Sequence, residues 1–155
     1  MPLSAAGQGS VDLITVQGAI DPIVARFVTR AIASATDHHA DALIVRMDTP
    51  GGLDVSMRQI VQAIIGSPVP VIVYVAPPGA RAGSAGVFIT MAAHVAAMAP
   101  GTAIGAAHPV SIGGAQIPKT QEEKTVNDAA AYIRSLAARG GRNAAWAEEA
   151  VRQSV

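Results

Sequence analysis

Residues 42–75 read ALIVRMDTPGGLDVSMRQIVQAIIGSPVPVIVYV, and this stretch alternates between two kinds of pattern. Ala42–Met47 is a short apolar run that is typical of a buried strand. Val55–Ile65 repeats apolar residues at helical spacing until a glycine and a proline stop it. Val69–Val75 is a β-branched run of the kind found in parallel sheets covered on both faces. The stretch therefore predicts a strand–helix–strand unit.

The same alternation continues on both sides of this unit. A strand is predicted at Val11–Val16, and the following helix begins with Asp21 as its N-cap and Pro22 as its first residue. Later in the chain, three helices and two short strands are predicted: helices at Ala85–Ala93, Gln121–Gly140 and Ala144–Val151, and strands at His94–Met98 and Ala103–Ala106. Strands that alternate with helices form right-handed βαβ crossovers. We therefore expect an α/β fold with a largely parallel sheet.

The composition narrows the classes of function. The 155 residues fit one domain, and half of them are apolar, which is ample for a packed core. Eleven basic residues balance eleven acidic ones, and only five residues are aromatic, so nucleic-acid binding is not indicated. The chain has no cysteine, which excludes disulfides and thiolate nucleophiles. No histidine pair has metal-ligand spacing with carboxylates beside it, so we expect neither a metal nor another cofactor.

A glycine-containing loop, Asp48-Thr49-Pro50-Gly51-Gly52, follows the first strand of this unit. Consecutive glycines allow positive φ and let main-chain N–H groups approach a ligand without a Cβ in the way. Donors of this kind stabilise an oxyanion. A tight turn between a strand and a helix would use the same residues, so the loop by itself does not decide between the two interpretations.

The segment Ala82-Gly83-Ser84-Ala85-Gly86 opens a predicted helix. Its small residues leave the Ser84 hydroxyl accessible, and a helix N-terminus favours developing negative charge by about 0.3–1 kcal/mol. A serine at such a position is also an ordinary helix cap. Ser84 is therefore a candidate nucleophile.

Two residues could act as a general base for Ser84. Thr120–Glu123 fits a capping box, which would place Lys124 in the first turn of a helix, where the helix dipole disfavours its charge. The dipole is too weak to neutralise the amine alone, so burial beside Ser84 must contribute most of the effect. A histidine such as His108 would not need an environment of this kind to act as a base, because an imidazole ordinarily changes its charge near neutral pH. The residue patterns leave both candidates open.

Four blocks occur in order: Asp48–Gly52, Gly83–Gly86, Met98–Thr102 with Ile104–Ala106, and Ala131–Ala137 with Gly141–Asn143. Together they resemble the membrane-bound NfeD-type peptidases of the Clp class, also called stomatin operon partner proteins. The resemblance covers residues 11–155. It implies a spiral of βαβ units like that of Clp proteases and crotonases, and a serine peptidase with a Ser–Lys dyad.

The resemblance also assigns roles to individual residues. It places the nucleophile at Ser84 and the lysine base at Lys124. One amide from the pair Gly51 and Gly52, together with the amide of Ala85, would form the oxyanion hole. If the segment before the lysine is aligned differently, another lysine, at position 119, competes for the role of base.

Further implications concern the whole protein. Members of this family cleave a hydrophobic segment of a stomatin-like membrane protein and form homodimers, so we expect a homodimer or a higher homo-oligomer. We expect residues 1–10 to be flexible and residues 11–155 to be the protease domain, without a closing strand that would follow Val155. The parent protein is expected to be membrane-associated with an extracytoplasmic protease domain, and this fragment to be soluble.

Two other functions remain possible at this stage. A crotonase-type enzyme acting on an acyl-CoA would use the same glycine amides, and it would recruit Asp54 and Arg58 as polar groups. An inactive scaffold that binds a membrane partner would keep Ser84 only as a packing residue.

Overall fold

The computed structural model describes residues 9–110 and 118–155, in which strands and helices alternate. The elements are β1 (Val11–Gln17), α1 (Pro22–Asp37), β2 (Ala42–Asp48), α2 (Asp54–Ile65), β3 (Val71–Val75), β4 (Arg81–Gly83), α3 (Ala85–Ala92), β5 (Val95–Met98), β6 (Ala103–Gly105), α4 (Lys119–Arg139) and α5 (Ala144–Arg152). The predicted α/β class is confirmed. Residues 1–8, most of the segment predicted to be flexible, lie outside the described residues.

The main sheet has four strands in the order β1-β2-β3-β5, and every neighbouring pair is parallel. A second sheet pairs β4 with β6, again in parallel. The predicted largely parallel sheet is therefore confirmed. The two sheets are joined where β2 ends, because the Thr49 N–H donates to the Arg81 carbonyl at 2.8 Å and the Gly83 N–H donates to the Thr49 carbonyl at 2.9 Å. This junction brings the glycine loop next to the turn that carries Ser84.

The core lies on one face of the main sheet. Alternate residues of β2 and β3 are buried there: Leu43, Val45, Met47, Val71, Val73 and Val75. Buried residues of the first three helices belong to the same core, among them Val28, Ile60 and Ile89. Burial of each such aliphatic side chain contributes about 1.5–3 kcal/mol, so the sheet is a rigid base for the loops at the ends of its strands.

The opposite face of the sheet is more open than the sequence suggests. Val11, Leu13 and Val95 are 56%, 62% and 51% exposed, and Tyr74 is half-buried. The expectation that Val69–Val75 is covered on both faces is therefore wrong. The strand also begins two residues later than predicted, because proline at position 70 has no N–H to donate to a β-ladder.

The two helix starts predicted from capping residues have different outcomes. At α1, the Asp21 carboxylate accepts a hydrogen bond from the Val24 N–H at 2.8 Å, and Pro22 is the first helical residue, as expected. At α4, the predicted capping box over residues 120–123 is wrong. The helix begins at Lys119, and its N-cap is Pro118.

The early start of α4 has a clear physical reason. The Pro118 carbonyl accepts hydrogen bonds from the N–H groups of Gln121 at 2.8 Å and Glu122 at 3.1 Å. A main-chain acceptor therefore replaces the predicted threonine side chain, and Thr120 is already inside the helix. Lys124 consequently lies in the second turn of α4, where the helix dipole acts more weakly on its charge than in the first turn.

Candidate active site

Ser84 lies in a sharp turn between β4 and α3. Its φ and ψ are 49° and −112°, a conformation that a residue with a side chain rarely adopts, and such strain costs about 1–3 kcal/mol. The Ser84 N–H donates to the Gly105 carbonyl at 3.1 Å, and its own carbonyl accepts from the Val87 N–H at 3.0 Å. Its hydroxyl makes no capping hydrogen bond to α3, so the turn presents the hydroxyl to the surroundings instead of to the helix.

The glycine loop touches this turn directly. Gly51 has a φ of +119°, and a Cβ placed on it would lie 2.6 Å from the Ser84 Cβ. The approach is possible only without a side chain, which explains a glycine at this position. Gly52 is confined from another side, since a Cβ there would lie 2.1 Å from the Ile20 carbonyl oxygen. The two glycines therefore let the loop pack between the β1–α1 connection at Ile20 and the serine turn.

The amides of the two glycines differ in their hydrogen bonding. The Gly51 N–H donates to the Thr49 hydroxyl oxygen at 3.1 Å, and that hydroxyl donates to the Gly51 carbonyl at 3.2 Å. The N–H groups of Gly52 and Ala85 have no main-chain acceptor within residues 9–110 and 118–155. Free donors are therefore found at Gly52 and Ala85, whereas the amide of Gly51 is already paired.

A cavity of about 500 Å³ opens beside Ser84. Its wall is largely apolar and includes Leu53, Met57, Phe88, Val110 and Ala129, together with Gly52 and Ala85. Four charged side chains also line it: Asp54, Arg58, Lys124 and Asp128. The cavity is large enough for an apolar side chain of a bound peptide.

Lys124 reaches this cavity from α4. It lines the same cavity as Ser84 and is exposed to solvent. Its amine forms no ion pair within the part of the chain that the structure describes. The structure thus brings the two predicted dyad residues to one cavity. Lys119, the other candidate lysine, lines a separate hollow with Glu122, Glu123 and Arg152.

His108 has a different environment. Its Nδ1 lies 2.8 Å from the carbonyl oxygen of Val151 in α5. Because a carbonyl oxygen can only accept, this nitrogen carries the proton in the pair. The neighbours Ala107 and Pro109 line the cavity, whereas His108 is not among its described lining residues. The structure therefore does not bring His108 to Ser84 in the way that it brings Lys124.

Arg58 also lines the cavity, although the sequence suggested it only for a crotonase-type enzyme. Arg58 donates to the Asp54 carboxylate at 2.9 Å and pairs with Asp128 of α4. Its guanidinium lies 4.5 Å from the centre of the Tyr132 ring. Desolvation lowers the pKa of Arg58, but the hydrogen bonds and charges of the two carboxylates outweigh it and raise the pKa above its ordinary value. The spacing of Asp54 and Arg58, four residues apart on a helix, was the available signal.

This chain resembles known proteins in sequence and in fold. The N-terminal domain of NfeD1b proteins matches residues 10–155 of this chain. The chain belongs to this family. Membrane-bound protease PH1510 of Pyrococcus horikoshii is 47% identical over 128 residues, which cover 81% of this chain. The chain spans 29% of the length of that curated relative.

Solved structures support the fold. The membrane-bound stomatin-specific protease 1510-N of Pyrococcus horikoshii, as a lysine-to-alanine mutant in complex with a substrate peptide, matches with a TM-score of 0.86 and 41% identity over 95% of this chain and 68% of its own. ClpP1 of Listeria monocytogenes matches at 18% identity with a TM-score of 0.71, over 92% of this chain and 80% of its own. The predicted NfeD-type family and the Clp-like fold are confirmed.

Within the described residues, the structure has neither a metal-binding cluster nor a membrane-spanning helix. No group of three or more histidine, aspartate and glutamate side chains there could hold a metal ion. Neither α4 nor any other described helix is long and apolar enough to cross a membrane.

Proposed function

We propose that this chain is the protease domain of a serine endopeptidase, with Ser84 as nucleophile and Lys124 as general base. One observation carries the proposal: Ser84, Lys124 and the two residues with free amides, Gly52 and Ala85, all line one cavity. Acyl transfer requires a nucleophile, a base and oxyanion donors around a common point. The family membership and the protease relatives supply independent support.

The mechanism follows from these positions. The uncharged Lys124 amine takes the proton of the Ser84 hydroxyl while Oγ attacks a peptide carbonyl. The amides of Gly52 and Ala85 stabilise the oxyanion, and the loss of one such donor costs roughly 10²–10³-fold in kcat. The tetrahedral adduct collapses, the C–N bond breaks, and the Lys124 ammonium protonates the leaving amine. Water then hydrolyses the acyl-enzyme with the same lysine as base.

The choice of base rests on three contrasts. His108 is engaged with α5, and Lys119 lines a different hollow. In 1510-N, the serine and the lysine replaced by alanine in the two mutant structures are 41 positions apart. Ser84 and Lys124 are separated by 40 positions, close to that spacing, whereas position 119 would be five residues nearer. All three contrasts favour Lys124.

The substrate is proposed to be a hydrophobic segment of a membrane protein such as a stomatin homologue. The apolar wall of the cavity, with Leu53, Met57 and Phe88, would accept aliphatic side chains of such a segment. The relative 1510-N is described as stomatin-specific. By contrast, a crotonase-type role finds little support, because Asp54 and Arg58 are paired with each other at 2.9 Å instead of being free to serve an acyl-CoA.

The proposal extends to assembly and location. A homodimer or a higher homo-oligomer would cover the exposed apolar side chains of Val11, Leu13 and Val95 on the open face of the sheet. The parent protein would be membrane-associated with its protease domain outside the cytoplasm. Sedimentation of the chain and of a Leu13→Lys variant tests the assembly: we expect an oligomer that the variant weakens, and a monomeric parent chain would contradict it.

Peptide cleavage tests the function. The chain is incubated with synthetic peptides that tile the hydrophobic segments of a stomatin homologue, and the products are identified by mass spectrometry. We expect cleavage that Ser84→Ala and Lys124→Met each reduce by at least about 10³-fold. Lys119→Met and His108→Ala are the matched controls and should keep most of the activity. Undiminished cleavage by Ser84→Ala would overturn the proposal.

A further inference from the structure

Arg58 joins the helix that follows the glycine loop to the helix that carries the base. In α2 it is held by Asp54, four residues before it, with an N–O distance of 2.9 Å. Across the cavity it pairs with Asp128 and lies over the Tyr132 ring, both in α4. Tyr132 in turn stacks on Phe88 of α3, with ring centroids 6.0 Å apart. The guanidinium therefore ties α4 to α2, and the Tyr132 ring links α4 to α3, the helix that follows the serine turn.

The residues that Arg58 holds lie on the same side of α4 as the proposed base. Lys124, Asp128 and Tyr132 follow one another at intervals of four residues, and side chains at this spacing are neighbours on a helix surface. Lys124 and Asp128 both line the cavity. The contacts of Arg58 with Asp128 and Tyr132 fix the rotation of α4 about its axis. They therefore also fix the direction of the Lys124 side chain.

The same spacing creates a competing interaction. A lysine and an aspartate four residues apart on a helix form an ion pair, and an opposite charge within about 4–6 Å favours the charged form of the amine. A charged amine cannot accept the proton of Ser84. In the structure Asp128 is paired with Arg58, and Lys124 has no ion-pair partner among the described residues.

We infer that Arg58 is a positioning residue for Lys124. The Arg58 guanidinium pairs with Asp128, so that the Lys124 amine stays free to act as a base. This inference rests on the proposed function, because it assigns Arg58 a purpose only if Lys124 is the base. Arg58 pairs with Asp128 of α4, and it adds a positive charge to the cavity that Lys124 also lines. Removal of Arg58 should therefore favour the charged form of the amine.

The other charged groups near Lys124 are accounted for. Across the cavity from α4, Asp54 and Arg58 of α2 line the wall. On α4 itself, Glu122 and Glu123 line a separate hollow with Arg152 of α5. His108 directs its ring nitrogen to α5. Within the described ranges, Asp54, Arg58 and Asp128 are the charged residues that share the cavity with Lys124.

The reactivity of the amine can be measured without any enzyme assay. Only an uncharged amine reacts with acetic anhydride, and the chain contains just two lysines, Lys119 and Lys124. Trace acetylation between about pH 6 and pH 11.5, read by mass spectrometry, gives the pH midpoint at position 124 with position 119 as an internal reference. The measurement compares the parent chain with Arg58→Gln, Asp128→Asn and the double variant.

Substitution of Arg58 and substitution of Asp128 both break the same ion pair, but they should move the midpoint at position 124 in opposite directions. Arg58→Gln releases the carboxylate and should raise the midpoint by about half to one pH unit, which lowers acetylation at neutral pH roughly 3- to 10-fold. Asp128→Asn removes one of the two carboxylates that pair with Arg58 and should lower the midpoint, and the double variant should return towards the parent. Asp128 is 68% exposed, so its substitution leaves the fold intact and keeps the test available if Arg58→Gln is unstable.

A purely structural role would give a different result. If Arg58 and Asp128 served only packing, the midpoint at position 124 would be unchanged in both single variants or would move in the same direction in both. The double variant would then show no return towards the parent. Any of these results overturns the inference. The outcome is separate from that of the proposed function. If peptide cleavage depends on Ser84 and Lys124 while the midpoints do not move, only the role of Arg58 is wrong.

Discussion

The turn at Ser84 and the first turns of α4 hold the two proposed reacting groups by different means. Ser84 has a φ of 49°, and main-chain hydrogen bonds to Gly105 and Val87 fix its position. Lys124 lies in regular helix, and the contacts that orient it are made by side chains one and two turns later. The proposed nucleophile is thus positioned by the backbone, and the proposed base by side-chain packing. Substitutions near Ser84 should therefore act through the backbone, and substitutions near Lys124 through side-chain contacts.

Gly51→Ala should have the largest effect on the backbone side of this comparison. The new Cβ would overlap the Ser84 Cβ, which lies at 2.6 Å, and the φ of +119° would be strained. We expect a loss of about 2–4 kcal/mol in the free energy of unfolding, from overpacking and backbone strain together. Peptide cleavage should fall by at least about 10²-fold, since a displaced serine loses its alignment. Urea unfolding and a cleavage assay measure the two effects.

Gly101→Ala is the matched control for this prediction. Gly101 also has a positive φ, of +74°, but nothing lies within 4 Å of the position of an added Cβ. It should cost only about 1–2 kcal/mol and leave cleavage unchanged. Equal losses of activity in the two variants would contradict the view that contact with Ser84 is what requires glycine at position 51.

At Ser84, glycine should be more stabilising than alanine, which is the reverse of their usual order in a helix. Ser84→Gly relieves the strain of the positive φ, so its free energy of unfolding should be about 1 kcal/mol higher than that of Ser84→Ala. We expect both variants to lack peptide cleavage. In the interior of α1 the order should reverse, with Ser34→Gly about 1 kcal/mol less stable than Ser34→Ala. Thermal unfolding of the four variants decides it, and Ser84→Gly less stable than Ser84→Ala would count against a strained turn.

The smallest effect is expected at the start of α4. Thr120 lies inside the helix and caps nothing, so Thr120→Ala should change the free energy of unfolding by less than about 0.5 kcal/mol. Asp21→Ala removes a real cap and should cost about 1 kcal/mol. Chemical denaturation compares the two. A larger loss for Thr120→Ala would restore the capping box that the structure contradicts.

The contrast between the two regions also explains what the sequence could predict. The strands of the main sheet and the Ser84 turn follow from local signals, because β-branched runs and closely spaced glycines restrict the backbone directly. The short strand β4 carries no such run and was not predicted. The cap at Asp21 is equally local and was predicted correctly. Each of these features depends on a few consecutive residues.

The features that escaped the sequence depend on specific contacts that the residue types alone do not reveal. The start of α4 is set by the Pro118 carbonyl, and a motif of side chains, Thr120 to Glu123, gave a misleading signal. The contact of Arg58 with Asp128 joins residues 70 positions apart. Likewise, the pairing of the Gly51 amide with Thr49 separates it from the free amide of Gly52, although the two glycines look alike in sequence.

The pairing of Ser84 with Lys124 is tested most directly by the rate at which a fluorophosphonate probe modifies Ser84. The site of modification is established by peptide mapping, and the rate is compared in the parent chain, Lys124→Met and His108→Ala. The account predicts modification at Ser84 in the parent and in His108→Ala, and a rate roughly 10²–10⁴-fold lower in Lys124→Met. Fast modification of Lys124→Met together with none in His108→Ala would contradict it and assign the base to His108.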